Sequence, residues 1–231
     1  MTDRKRNAHM AGLIYVLLVF TGIISLAYVP GQIMVHGDSA QTLANLRASE
    51  NLFRLGLIAG LTCQVLYILL PLSLYRLLKS VDEPKARLMA ILAIVSVPIS
   101  FVAYSHKFEV LSLLGSSDGL AGFDAAQTNA QILLALASYS NTISLASLFW
   151  GLWLLPFGYL VFKSGFLPKI LGLFLMAGCF GYVISLIGST LWPTAYAASG
   201  ISSFISIPSA IGEIGIAFWL LFMGVKKSPV N

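Results

Sequence analysis

Six long apolar runs determine the fold class of this chain. Short polar segments separate the runs, which cover residues of about 9–29, 51–78, 88–111, 130–163, 169–191 and 205–225. As a helix, each run is long enough to cross a bilayer, which takes about 20 residues. Charged residues make up only 10% of the 231 residues, against about 25% in soluble domains. The sequence therefore predicts an all-α polytopic membrane protein with six transmembrane helices in a single domain, 1–231, with lipid as its solvent.

The first apolar run has two features of a signal peptide, a basic start and an apolar stretch. The run is longer than the ~7–15 residues of a signal-peptide core, and its end, LAYVPGQ, has no small-x-small cleavage site. We therefore expect a retained first membrane helix that ends at Pro30–Gly31. The polar segment after it predicts a short amphipathic helix, capped by Asp38 or Ser39, with Leu43 and Leu46 on its apolar face.

Lysine and arginine predict the orientation in the membrane. Basic residues collect in cytoplasmic loops, and eleven of the fourteen fall on the side of the N-terminus. These eleven are Arg4, Lys5, Arg6, Arg76, Lys79, Lys85, Arg87, Lys163, Lys169, Lys226 and Lys227. The other side has Arg47, Arg54 and Lys107. We expect both termini in the cytoplasm and the protein in the bacterial cytoplasmic membrane. Basic residues scattered over short loops, not clustered on one face, argue against binding of nucleic acid.

One segment occurs twice in the chain. Leu69–Lys85 reads LLPLSLYRLLKSVDEPK and Leu154–Lys169 reads LLPFGYLVFKSGFLPK, and one gap aligns them. Each predicts a membrane helix bent by its proline, a tight turn, and a next helix with Pro84 or Pro168 in its first turn. Both copies run from outside to inside, so a duplication would relate the hairpins of helices two–three and four–five as a parallel repeat. Chance recurrence of a common membrane pattern remains the alternative.

Small residues indicate where helices pack closely. Gly56 and Gly60 form a small-xxx-small pair in the second membrane helix, and Gln64 follows on the same face. Such faces let two backbones approach each other in a membrane. The fifth membrane helix has a second predicted packing stripe at i, i+4 spacing. Its members are Ala177, Gly181, Ser185 and Ser189.

Glu213 is the clearest candidate for a functional side chain. It lies about eight residues into the sixth membrane helix, roughly 12 Å below the surface at 1.5 Å per residue. A charged side chain at such a depth costs roughly 2.5–3.5 kcal/mol, so we expect it to face the bundle, on a polar stripe with Ser206 and Ser209. Two interpretations stay open: a ligand or proton site, and a structural carboxyl hydrogen-bonded to a neighbouring Ser, Tyr or Asn.

Arg54 is a predicted partner for Glu213, because it lies near the start of the second membrane helix, on the side of the membrane at which the sixth helix starts. The alternative is a surface pair with Glu50, four residues earlier. Asn141 and Gln64 lie near the middle of their helices, where interhelical hydrogen bonds are the other explanation for polar residues.

His106 and Glu109 share a helix face at i, i+3 spacing near the outer end of the third membrane helix. One interpretation is a polar vestibule above Glu213. The other is a solvated helix end at which Lys107 extends to water.

The sequence contains no motif that predicts a metal site or a cofactor site. The chain has no phosphate loop, His-Glu-x-x-His, Gly-x-Ser-x-Gly or Cys-x-x-Cys motif. Cys63 and Cys179 lie inside apolar runs and are expected to be small buried hydrophobes. His9, His36 and His106 belong to different segments. We therefore expect neither a bound metal nor a cofactor.

Four segments together resemble one known family. They are AGLIYVLLVFTGIISLAYVP at 11–30, LFRLGLIAGL at 52–61, LLPLSLYRLLKSVD at 69–82 and FWGLWLLPFGYLVFKSGFLPKILG at 149–172. This pattern resembles the DUF4386 family. The resemblance implies a prokaryotic integral membrane protein with several helices. It implies no activity and no catalytic residues, because the function of the family is unknown.

Three functions fit these residues. The first is binding or transport of a small or amphiphilic ligand through an outward-facing polar cavity, and its candidate residues are Glu213, Arg54, Asn141, His106, Glu109 and Gln64. The second is an intramembrane enzyme acting on a lipid or isoprenoid, with Glu213 as general acid or base. The third is a non-catalytic sensor or subunit. The oligomeric state stays open.

Overall fold

Every regular element in the described residues, 3–115 and 124–225, is helical in the computed structural model. Six helices are long and apolar enough to cross a membrane. They are α1 (Asp3–Ile33), α3 (Glu50–Leu78), α4 (Glu83–Gly115), α5 (Ala125–Lys163), α6 (Lys169–Leu191) and α8 (Ile201–Met223). Two shorter helices are α2 (Ser39–Ala48) and α7 (Pro193–Ser199). The predicted all-α class with six membrane helices is confirmed, and the protein is a multi-pass membrane protein.

Several membrane helices extend beyond the apolar runs that predicted them. α1 begins at Asp3 instead of about residue 9, and α4 covers Glu83–Gly115 instead of 88–111. Acidic residues stand in the first turn of both helices, where the helix dipole favours them. A hydropathy pattern ends where lipid ends, whereas backbone hydrogen bonding continues into the polar region. Lys226 and Lys227, which contribute to the predicted orientation, lie outside the described residues.

The predicted amphipathic helix is present as α2. The Asp38 side chain caps it and accepts a hydrogen bond from the Gln41 backbone N–H at 2.8 Å. Leu43 and Leu46 are buried. They belong to a hydrophobic cluster that also contains Phe53. α2 thus adds an apolar face to the packing of the neighbouring membrane helices.

The two copies of the recurring segment differ in local structure. Pro71 lies within the uninterrupted helix α3, whereas the second copy has a turn at Trp153, just before it begins. Pro84 lies in the first turn of α4, as predicted. Pro168 does not lie in the first turn of α6. It is the N-cap residue, because its ψ of 117° is extended and the helix starts at Lys169. The duplication itself stays a prediction.

The helices form two compact units. The larger unit consists of Met1–Leu17, Leu66–Val97 and Ser144–Asn231, and the smaller unit of Leu18–Val65 and Pro98–Ile143. The unit boundaries fall inside α1, α3, α4 and α5, so each of these helices contributes to both units. The assignment of residues 1–231 to a single domain remains a prediction.

Small residues position the helices of the larger unit. A Cβ on Gly172 would lie 2.6 Å from the Gly158 carbonyl oxygen, so α5 and α6 pack with their backbones in contact. On α8, a Cβ on Gly212 would lie 2.9 Å from the Leu175 backbone nitrogen of α6. Gly172 of α6 contacts α5, and Gly178 and Gly181 of α6 contact α8. The predicted stripe is therefore wrong in part: Gly181 packs against the Ile205 backbone of α8, whereas Ala177 and Ser189 are exposed.

Candidate functional site

A cavity of about 230 Å³ lies within the smaller unit. Four helices form it: α1 between Leu26 and Met34, α3 at Phe53, α4 at Lys107, and α5 between Leu136 and Ile143. The walls are mostly apolar, and the polar side chains that line the cavity are Lys107, Tyr139 and Ser140. Apolar walls with a few converging polar groups are typical of small-molecule sites.

Lys107, which lines this cavity, is buried, with 3% of its surface exposed. Its ammonium lies 4.1 Å from the ring centroid of Tyr139, 5.5 Å from that of Tyr104 and 5.6 Å from that of Phe53. The ammonium forms no ion pair or hydrogen bond with any residue in 3–115 or 124–225. The interpretation in which Lys107 extends to water is therefore wrong, because rings from three helices enclose its ammonium.

Ring contacts compensate part of the free-energy cost of burying the Lys107 ammonium. Burying an ammonium costs several kcal/mol, and a cation–π contact contributes about 2 kcal/mol when it is desolvated. Three rings can offset much of that cost. They do not satisfy the three N–H donors of the Lys107 ammonium, and no residue in 3–115 or 124–225 accepts a hydrogen bond from it.

The smaller unit also contains a group of buried polar side chains. The hydroxyls of Ser25 and Tyr104 are 3.1 Å apart and both residues are buried. The Gln64 amide is next to the Tyr104 hydroxyl, and its Oε1 has no hydrogen-bond partner in the described part of the chain. Gly60 makes room for this cluster, because a Cβ there would overlap the Tyr104 ring. The predicted close packing of the Gly56–Gly60 face is confirmed.

A second, more open cavity of about 600 Å³ lies between α4 and α5 in the same unit. His106 Nδ1 and Glu109 Oε2 are 3.1 Å apart at its wall, so the prediction that these residues share a face is confirmed. Ser105, Gln131 and Ser138 add polar groups. His106 and Glu109 thus line a cavity, and a vestibule above Glu213 stays a prediction.

Glu213 lies in the larger unit, between two tyrosines. The Tyr15 hydroxyl donates a hydrogen bond to Glu213 Oε2 at 3.2 Å, and the Tyr182 side chain lies next to the same carboxylate. Tyr15 is fully buried against Trp153 and Phe157, whose rings stack with centroids 5.1 Å apart. The carboxylate thus connects α1, α6 and α8.

The serines predicted to accompany Glu213 bond elsewhere. The Ser209 hydroxyl donates to the Ser206 carbonyl of its own helix at 2.8 Å. Tyr15 and Tyr182 were missed by the sequence analysis. Tyr15 is 198 residues from Glu213, and no local pattern marks either tyrosine as its partner.

Arg54 forms the surface pair that was one of its two predicted interpretations. Its Nη2 lies 2.6 Å from Glu50 Oε1, and both side chains are partly exposed. Arg54 belongs to the smaller unit and Glu213 to the larger one. Asn141 is exposed and lines neither cavity. A role of either residue in a ligand site stays a prediction.

Metal-ligand groups are not clustered in the described ranges. No set of three His, Cys, Asp or Glu side chains within residues 3–115 and 124–225 could hold a metal ion. Cys63 and Cys179 are free thiols and are buried, as expected for small apolar side chains.

Comparisons with known proteins place the chain in a family. A family described as "Domain of unknown function (DUF4386)" matches residues 10–224. An uncharacterized protein of Archaeoglobus fulgidus is 33% identical over 95 residues, which are 41% of this chain and 54% of that protein. The chain thus spans about half the length of this curated relative. No solved structure matches the chain. The match over 10–224 shows that the chain belongs to the DUF4386 family, whose function is unknown.

Proposed function

We propose that this protein binds a small amphiphilic ligand in the cavity formed by α1, α3, α4 and α5. The observation that carries the proposal is the cavity itself, with apolar side chains on most of its wall and Lys107 among its few polar residues. An amphiphile presents the matching surface, with an apolar chain for the apolar wall and a polar head for the polar residues.

The size of the cavity supports a ligand that is only partly enclosed. Its volume of about 230 Å³ is below the roughly 300–1,000 Å³ of cavities that enclose drug-sized ligands. Leu26 and Met34 line the cavity and are 41% and 40% exposed. We propose that a head group and the start of a chain occupy the cavity, while the rest of the chain lies in the bilayer.

Mass spectrometry of molecules that co-purify with the gently extracted protein tests this function. Ile143 lines the cavity, so Ile143→Trp should fill it and remove the co-purifying amphiphile. Leu145→Trp on the same helix is the matched control, because Leu145 is 60% exposed and does not line the cavity. An amphiphile retained equally by both variants, or none in the wild type, would contradict the proposal.

The orientation is proposed with both termini in the cytoplasm of a bacterial cell. His36 precedes α2 and Ser80 follows α3, and both side chains are exposed. In a chain with Cys63→Ala and Cys179→Ala, a membrane-impermeant maleimide should modify His36→Cys in intact cells. Ser80→Cys should react only after the cells are lysed. The reverse pattern would invert the proposed topology and place the α2 side of the protein in the cytoplasm.

A further inference from the structure

We propose that the ligand of the α1–α3–α4–α5 cavity has a single negative charge on an apolar chain, and that Lys107 binds this charge. This inference rests on the proposed function and specifies its ligand class. A carboxylate on an alkyl chain is the simplest such molecule, and a singly charged phospholipid has the same chemistry.

The charge of the ligand follows from the surroundings of Lys107. Of the described residues that line the cavity, Lys107 alone is charged, and none is acidic. A buried cation without a counter-ion is unfavourable, and the three rings around the ammonium offset only part of this cost. An anion in the cavity would supply both a counter-charge and hydrogen-bond acceptors.

A single charge is favoured over a double one. One ammonium neutralises one negative charge, and no arginine is among the described residues that line the cavity. Arg47 and Arg54, which lie in the same unit, are engaged by Asn129 and Glu50. A phosphate monoester would therefore bring a second charge into an apolar cavity without a partner for it.

The apolar side chains of the cavity indicate that the other end of the ligand is apolar. Leu26, Ile33, Leu136 and Ile143 line the cavity from α1 and α5. A small inorganic anion would leave this surface hydrated or empty, whereas an alkyl chain would cover it. Tyr139 and Ser140 also line the cavity, so Lys107 is not the only polar residue next to a polar head among the described residues.

Binding of palmitate, hexadecanol and hexadecylamine to the purified full-length protein in neutral detergent tests the inference. The three probes share a chain length and differ in the charge of the head. We expect the wild type to bind palmitate about tenfold or more tightly than hexadecanol, the scale of a hydrogen bond to a charged group. Competition by phosphatidylglycerol then separates the two sources, because a phospholipid site would favour it over palmitate.

Variants of Lys107 test whether its ammonium causes the preference for palmitate over hexadecanol. Lys107→Met should abolish the preference for palmitate over hexadecanol, and Lys107→Arg should retain most of it. Lys163→Met is the matched control, because Lys163 also lies over a ring, that of Tyr159, but is exposed and outside the cavity. If Lys107→Met does not fold, the comparison of the three probes on the wild type still tests whether the site prefers an anionic head.

The outcomes separate this inference from the proposed function. Equal binding of all three probes by the wild type, or a palmitate preference that survives in Lys107→Met, would overturn the anionic ligand and leave amphiphile binding intact. Binding of none of the probes would overturn both.

Discussion

Replacing Gly172 by alanine is expected to lower the free energy of unfolding by about 3 kcal/mol, the upper part of the range for overpacked sites. The added Cβ would lie 2.6 Å from the Gly158 carbonyl oxygen and 2.8 Å from the Phe162 backbone nitrogen. Both are backbone atoms of α5, which cannot rotate out of the way. The two helices would have to separate, and the packing of α5 on α6 would be lost.

Thermal unfolding in detergent micelles measures this effect. Gly31→Ala is the control, because Gly31 is also helical and a Cβ there meets no atom within 4 Å. Alanine at that position should be neutral or stabilise by up to about 1 kcal/mol through helix propensity. Equal midpoints for Gly172→Ala and the wild type would show that the two backbones are not in contact.

Replacing Glu213 by leucine is expected to cost about 2–4 kcal/mol of stability. The change leaves the buried Tyr15 hydroxyl without its acceptor and removes the carboxylate next to Tyr182, and each unsatisfied buried group costs about 1–3 kcal/mol. Glu213→Gln retains a carbonyl acceptor of similar shape and should lose less. Thermal midpoints of the three proteins, measured in one detergent, provide the comparison.

The same variants decide between the two interpretations of Glu213. A structural carboxyl predicts that Glu213→Gln keeps the co-purifying molecules of the wild type, while Glu213→Leu is destabilised. A ligand or proton site predicts the opposite: an altered profile of bound molecules in Glu213→Gln without a loss of stability. The hydrogen bond from Tyr15 and the neighbouring Tyr182 side chain favour the structural interpretation.

The positions of the membrane helices could be predicted because they depend on local properties. A segment in lipid must satisfy its own backbone hydrogen bonds, so an apolar run of sufficient length becomes a helix whatever its neighbours are. Local chemistry also predicts the cap of α2 at Asp38 and the shared face of His106 and Glu109. These features need only the spacing of residues along one helix.

The sequence by itself therefore determined the fold class, the number of membrane helices and local features such as the Asp38 cap. Only the tertiary structure decided which side chains meet across helices, as with Tyr15 and Glu213. It also decided that Lys107 is enclosed by rings and not extended to water. The physical reason is that close packing of small residues sets the rotation of each helix about its axis. That packing depends on the partner helix, which the spacing within one helix does not specify.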